Sequence, residues 1–151
     1  MAKFSDLVHY DRDKEEYYID YPIENQTFHM GFQKCEVDSF IDNGIVYFNV
    51  WINLYNKRKD MWRNEDLLLS TGLNPIKTVL VARECFKAIE AEIIEDMEYN
   101  NKDVIIYCHW VDNRRRDAYY KVLSRMGYRY GKIPLHPYKV IMKRYKNNEN
   151  K

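Results

Sequence analysis

The clearest regularity in this chain is a two-residue alternation over Ile45–Tyr55. Val46, Phe48, Val50, Ile52 and Leu54 alternate there with Tyr47, Asn49, Trp51, Asn53 and Tyr55. A period of two puts successive side chains on opposite faces, so the segment predicts a strand. Residues 27–41 alternate more loosely, through Phe28, Met30, Phe32, Cys35, Val37 and Phe40, and also read as extended. Between the two, Asp42-Asn43-Gly44 is a hairpin signal, because Asn-Gly accepts the positive φ values of tight hairpins. Residues 1–26 are polar, acidic and tyrosine-rich. They predict a weakly ordered start with one strand near Tyr17–Tyr21, closed by Pro22. Past a polar turn at 56–60, a further strand is predicted within Trp62–Thr71.

The pattern then changes period. From Pro75 to about Tyr99 the apolar positions follow helical spacing, with Ile76, Val79, Leu80, Phe86, Ile93 and Met97 as the expected stripe. Val104–Val111 is a near-continuous apolar run, as expected of a strand buried on both faces. Asp112 or Asn113 then caps a second helix, Arg114–Met126, and Gly127 takes the position just past its end. Tyr128–Ile133 and Tyr138–Arg144 are short strand candidates separated by Pro134 and Pro137. The fold class is therefore α+β, with a single domain over 27–145 and a frayed tail at 146–151.

One junction invites chemistry. The apolar Leu67-Leu68-Leu69 runs into Ser70-Thr71-Gly72-Leu73-Asn74-Pro75 and then into the long helix. Asn74 reads as an N-cap and Pro75 as the first helical residue, where a missing N–H costs nothing. Free N–H groups and the positive end of the helix dipole favour a phosphate there. Lys77 and Thr78 add a charge and a hydroxyl in the first turn. An ordinary capped helix start has the same appearance.

Composition narrows the picture. The 151 residues fit one domain able to bury a core without metal or disulfides. Fourteen tyrosines favour half-buried surfaces and interfaces, including a homodimer. The net charge of +1 names no partner. No apolar run reaches bilayer length and no signal-peptide core is present, so no membrane association is expected and a cytoplasmic location is. The widely spaced Cys35, Cys85 and Cys108 argue against a disulfide scaffold and fit a reducing compartment. His9, His29 and His136 lack ligand-like spacing, so no metal is expected.

An antiparallel meander, a phosphate-ready loop, a long helix, a buried strand, a helix ending in Gly127-Tyr128 and a final hairpin follow one another here. That order resembles the GNAT superfamily of acyl-CoA-dependent N-acyltransferases, over about residues 27–145. It implies a central, mixed, mostly antiparallel sheet, a long helix after the fourth strand, a second helix after the fifth, and a shortened N-terminus. By position, the pyrophosphate of acetyl-CoA or a related thioester would lie against Ser70, Thr71, Gly72, Leu73 and Asn74, with Lys77 and Thr78. Asn113 and Arg116 fall in the family's next nucleotide-contacting segment. The fifth strand would be Val104–Val111, and a splay beside it would hold the pantetheine arm. The implied reaction is attack of a neutral amine on the thioester, with a base drawing off a proton and an acid, commonly Tyr, protonating the thiolate.

Tyr120 is the candidate acid, although the family's usual tyrosine position is Leu123 here. His109, sharing a strand face with Ile105 and Tyr107, is the candidate base, with Glu65 as another. Cys108 points away from His109, which argues against a Cys–His pair. The loop holds one glycine where the family has two or three. About 26 residues replace the strand and two helices that usually shape the acceptor site. Small phage-type GNAT-like proteins are similarly cut down. These departures keep a second expectation open, a catalytically inactive GNAT-like protein that binds a host protein or nucleic acid. Its contacts would be Arg114-Arg115-Arg116 and the basic C-terminal region, where cations alternate with aromatics.

Overall fold

A computed structural model describes residues 3–24, 26–35, 44–56, 61–63, 75–97, 102–110, 112–134 and 136–146. The protein is α+β, with two α-helices and a mostly antiparallel sheet among these residues. The strands are β1 (His9–Asp11), β2 (Glu16–Ile23), β3 (Gln26–Cys35), β4 (Ile45–Asn56), β5 (Met61–Arg63), β6 (Asp103–Cys108), β7 (Arg129–Gly131) and β8 (Val140–Tyr145). The helices are α1 (Pro75–Met97) and α2 (Asn113–Leu123). Strand order is β1-β2-β3-β4-β6-β8-β7, and β5 pairs with β4 off this path. No described helix is long and apolar enough to cross a membrane. Packing divides the chain into two compact units, Met1–Phe32 with Trp51–Ile93, and Gln33–Val50 with Ile94–Lys151.

In the first unit, the N-terminal segment carries more structure than its polarity predicts. After a 3-10 turn at Phe4–Leu7, β1 and β2 form a hairpin with His9 opposite Tyr18 and Asp11 opposite Glu16. Its turn is built by Asp11, whose carboxylate accepts from the N–H groups of Asp13 (3.0 Å) and Lys14 (3.2 Å). This is the local side-chain turn that Asp favours. One face of the strands is apolar, with Tyr17, Ile19 and Ile23 on β2 and Phe28, Met30 and Phe32 on β3, all buried. Helix α1 contributes Thr78, Val81, Cys85, Phe86, Ile89 and Ile93 as its buried stripe. Phe86 meets Phe32 edge-on at 4.8 Å. This corrects the expected stripe. Ile76 (73% exposed) and Leu80 (46% exposed) face out, because the inward row runs through Thr78 and Val81 instead. Strong apolar residues at Ile76 and Leu80 disguised that phase.

In the second unit, β4 and β6 run parallel in register from Ile45↔Asp103 to Asn49↔Tyr107. β8 pairs antiparallel with β6, and β7 with β8. Val46, Tyr47 and Phe48 are all buried, as are Val104, Ile105 and Ile106, so both strands are covered on both faces. The apolar run expected to continue as strand to Val111 ends at Cys108. The strands beside β6 are β4 on one side and β8 on the other. The expected flanking strand at Leu67–Thr71 lies outside the described residues, as do Asp42-Asn43 of the hairpin signal. Five of the described strands precede α1 in chain order and six precede α2.

Helix α2 begins as its sequence indicates. Asp112 is extended (φ −145°) and its side chain accepts from the Arg115 N–H at 2.8 Å. A 3-10 turn, Ser124–Met126, closes the helix. Gly127 then turns left-handed at φ 93°, and the Tyr128 N–H returns to the Leu123 carbonyl at 3.1 Å. Asp112→Ala is expected to cost about 1 kcal/mol, the usual worth of an N-cap side chain. Urea titration of both proteins checks this, and Asp112→Asn should recover most of the loss.

Candidate functional site

The sequence candidates divide by where the fold puts them. Glu65 and Ser70, Thr71, Gly72, Leu73 and Asn74 lie outside the described residues. Of the first turn of α1, Lys77 is exposed and Thr78 is fully buried. The Thr78 side chain therefore belongs to the core row of the helix. Asn113 is exposed at the start of α2. Arg116 is half-buried and its Nε donates to Asp117 at 3.0 Å. Tyr120 lies flat on Tyr130, with ring centroids 4.2 Å apart and planes within 4°. Tyr130 in turn meets Trp110 edge-on at 5.8 Å. Tyr120 is thus held by stacking, an arrangement that favours offset aromatic pairs.

His109 follows β6 directly and is exposed. Its ring lies 5.6 Å from that of His136, which also meets Tyr107 edge-on at 6.2 Å. His136 comes from the segment between β7 and β8, and its Nδ1–H donates to the Tyr138 carbonyl at 3.1 Å. That bond leaves its Nε2 as an acceptor in the neutral ring. Partial desolvation, and then the charge of His136, hold the His109 pKa below the usual histidine value. His109 is therefore a neutral imidazole at pH 7, able to take up a proton.

Tyr107 belongs to a buried cluster with Tyr47, Ile105, Ile133 and Val140. Tyr107 shares a 3.2 Å hydrogen bond with Cys35, and burial followed by that bond pushes its phenol well above the ordinary range. It stays protonated and serves as a neutral donor or acceptor. Burial pushes the Cys108 thiol up to about 12, so it offers no thiolate nucleophile. Opposite Tyr107, at the last position where β4 pairs with β6, Asn49 has a buried Oδ1 with no hydrogen-bond partner among the described residues. A buried carbonyl oxygen in that state carries a desolvation penalty that an incoming N–H would relieve. No sequence spacing announced this group. His136 is 27 positions from His109 and Cys35 is 72 from Tyr107, and only strand pairing brings them together.

A second polar cluster lies in the first unit and was also missed. Glu16 and Asp20 on β2 and His29 on β3 face one another. His29 Nδ1 donates to Asp20 at 2.5 Å, and its Nε2 lies 3.8 Å from Glu16. Trp51 Nε1–H donates to the other Glu16 oxygen at 2.5 Å. Tyr18 stacks on His29 at 5.4 Å. Glu16 is 3% exposed and His29 8%. Gly31 keeps this space open, since a Cβ there would collide with the Glu16 carboxylate and the Trp51 indole. The available signal was the alternation Glu16, Tyr18, Asp20 opposite Tyr17 and Ile19, which puts two acids on one strand face. Among the described residues no group of three His, Cys, Asp or Glu is arranged to hold a metal ion.

No family model matches the sequence, and no curated protein or solved structure matches the chain.

Proposed function

We propose that this chain is a small cytoplasmic, GNAT-like N-acyltransferase that moves an acyl group from acetyl-CoA or a related thioester to an amine. The observation that carries the reading is the parallel β4–β6 pair, whose register ends at Asn49 and Tyr107, with Asn49 Oδ1 buried and without a hydrogen-bond partner among the described residues and His109 just past the strand end. The resemblance calls for a thioester arm beside the strand that precedes the second helix. An amide N–H of a pantetheine arm, or the acceptor amine, is the donor that Asn49 lacks. His109 is the base that takes the proton from the attacking amine, and its neutral state suits that role. Tyr120 is the candidate acid for the leaving thiolate.

The test is release of free thiol from acetyl-CoA in the presence of polyamines, aminoglycosides and peptide amines. Amine-dependent release supports transfer. Binding of acetyl-CoA with no release to any amine supports the second reading, a GNAT-like binding protein without catalysis. The flat Tyr120–Tyr130 stack favours that reading, because it gives Tyr120 a packing role independent of any thiolate. Under it, Tyr120→Phe leaves function intact.

A further inference from the structure

The basic and acidic residues are unequally distributed along the chain. Residues 102–151 hold 13 Lys and Arg against 4 Asp and Glu, whereas residues 1–101 hold 11 against 19. Helix α2 concentrates the positive side. Its two acids near the N-terminus are already engaged, Asp112 by Arg115 at 3.5 Å and Asp117 by Arg116 at 3.0 Å. Arg114, Lys121 and Arg125 are exposed at spacings of seven and four, which align them along one side of the helix and its 3-10 extension. That ridge is about 16 Å long at 1.5 Å per residue. None of the three makes an ion pair among the described residues.

Aromatic surface lies on the flank of the same helix. Tyr120 precedes Lys121 by one position, about 100° round α2 from the ridge, and stacks on Tyr130, which is 41% exposed on β7. β7 is the last strand of the sheet order, so Tyr130 stands at a sheet edge. Tyr130 and the three cations are all exposed on α2, its 3-10 extension and β7. Cations that follow a backbone and aromatic rings that take a base are the two components of single-strand recognition.

We propose that the face formed by α2 and β7 binds single-stranded nucleic acid, with Arg114, Lys121 and Arg125 on the phosphates and Tyr130 stacking on a base. The proposal is independent of acyl transfer. A duplex would satisfy the cations and leave the ring without a base to stack on, so the exposed ring favours the single strand.

The test is fluorescence anisotropy of the full chain with a labelled 15-nucleotide oligothymidylate and with a duplex of the same length, without acetyl-CoA. The single strand should bind more tightly than the duplex. Its affinity should fall with salt, with a log–log slope of about −2 for three phosphate contacts. The triple variant R114E/K121E/R125E should weaken binding at least tenfold and flatten the slope. Tyr130→Ala should weaken it about 5- to 150-fold, the range of one base–aromatic stack, and Tyr130→Phe should keep near-normal affinity. Thermal unfolding of each variant separates lost binding from lost folding, and Tyr130→Phe gives a reading even where Tyr130→Ala unfolds. No binding at 50 mM salt overturns the proposal. So does equal affinity for duplex with Tyr130→Ala neutral, or binding unchanged by the triple charge reversal.

Discussion

Replacing His29 with leucine is expected to destabilise the protein by about 3–5 kcal/mol at pH 7. The substitution leaves the Glu16 carboxylate, 3% exposed, without its cation, and a buried charge deprived of its partner costs that much. The same cluster makes stability depend on pH. Burial alone would lower the His29 pKa, but the hydrogen bond to Asp20, the nearby Glu16 carboxylate and the charges of both raise it from 6.5 to about 9. The folded protein therefore holds the His29 proton more tightly than the unfolded chain does. That stabilisation is complete below pH 6.5 and is lost as pH rises through about 9. A shift of this size corresponds to about 3 kcal/mol. Urea unfolding at intervals from pH 5.5 to 10 should show a decline above pH 6.5 in the wild type and a much flatter profile in H29L. A wild-type profile that is flat or rises over that window would contradict the assignment of His29 as a buried cation. The aromatic surround adds the rings of Tyr18 and Trp51, with His9 beyond Tyr18.

His109→Ala is expected to lower acyl transfer about 10²- to 10⁴-fold, the usual worth of a positioned general base. His109 is exposed, so the variant should fold as the wild type does. Its pKa lies below the ordinary histidine value, and this sets the direction of the pH profile. In the wild type the acid limb of kcat/KM, where His109 becomes protonated, should lie below pH 6.5. In H109A that limb should disappear, leaving only the ionisation of the acceptor amine. Transfer that persists at wild-type rate in H109A would remove His109 from the chemistry.

The strand periods were easy to read, and the reason is physical. Ile45–Asn56 and Asp103–Cys108 are covered on both faces or alternate cleanly, so burial itself writes the pattern. The cap at Asp112 and the left-handed Gly127 were equally legible, because each meets a local backbone demand. The phase of α1 was not. Ile76 and Leu80 are apolar yet exposed, while Thr78 is polar yet buried, so hydropathy pointed the helix the wrong way at its first turns. The ends of β6 and α2 moved inward by three residues for a similar reason, since apolar or helix-forming residues continue past the last regular hydrogen bond.

Site residues were legible in proportion to how local they were. His109 could be singled out from its strand, and Tyr120 from its helix. Their neighbours could not, because His136 and Tyr130 arrive from distant segments through β8 and β7 pairing, and Cys35 arrives on β3. The Glu16–His29–Asp20 cluster depends on β2 and β3 lying side by side in the sheet, so no motif spacing foretells it. A histidine judged only by sequence neighbours, as His29 was, gives no hint of two carboxylates brought beside it.

The acyl-CoA reading can be tested most directly by isothermal titration calorimetry of the full chain with acetyl-CoA and with CoA, run at 150 mM salt to suppress general anion binding. The account predicts saturable one-site binding of acetyl-CoA in the micromolar range, weakened at least fivefold by Asn49→Leu, which keeps the bulk of the side chain but removes its acceptor oxygen. Absence of heat at millimolar acetyl-CoA, with the protein shown to be folded, would contradict it.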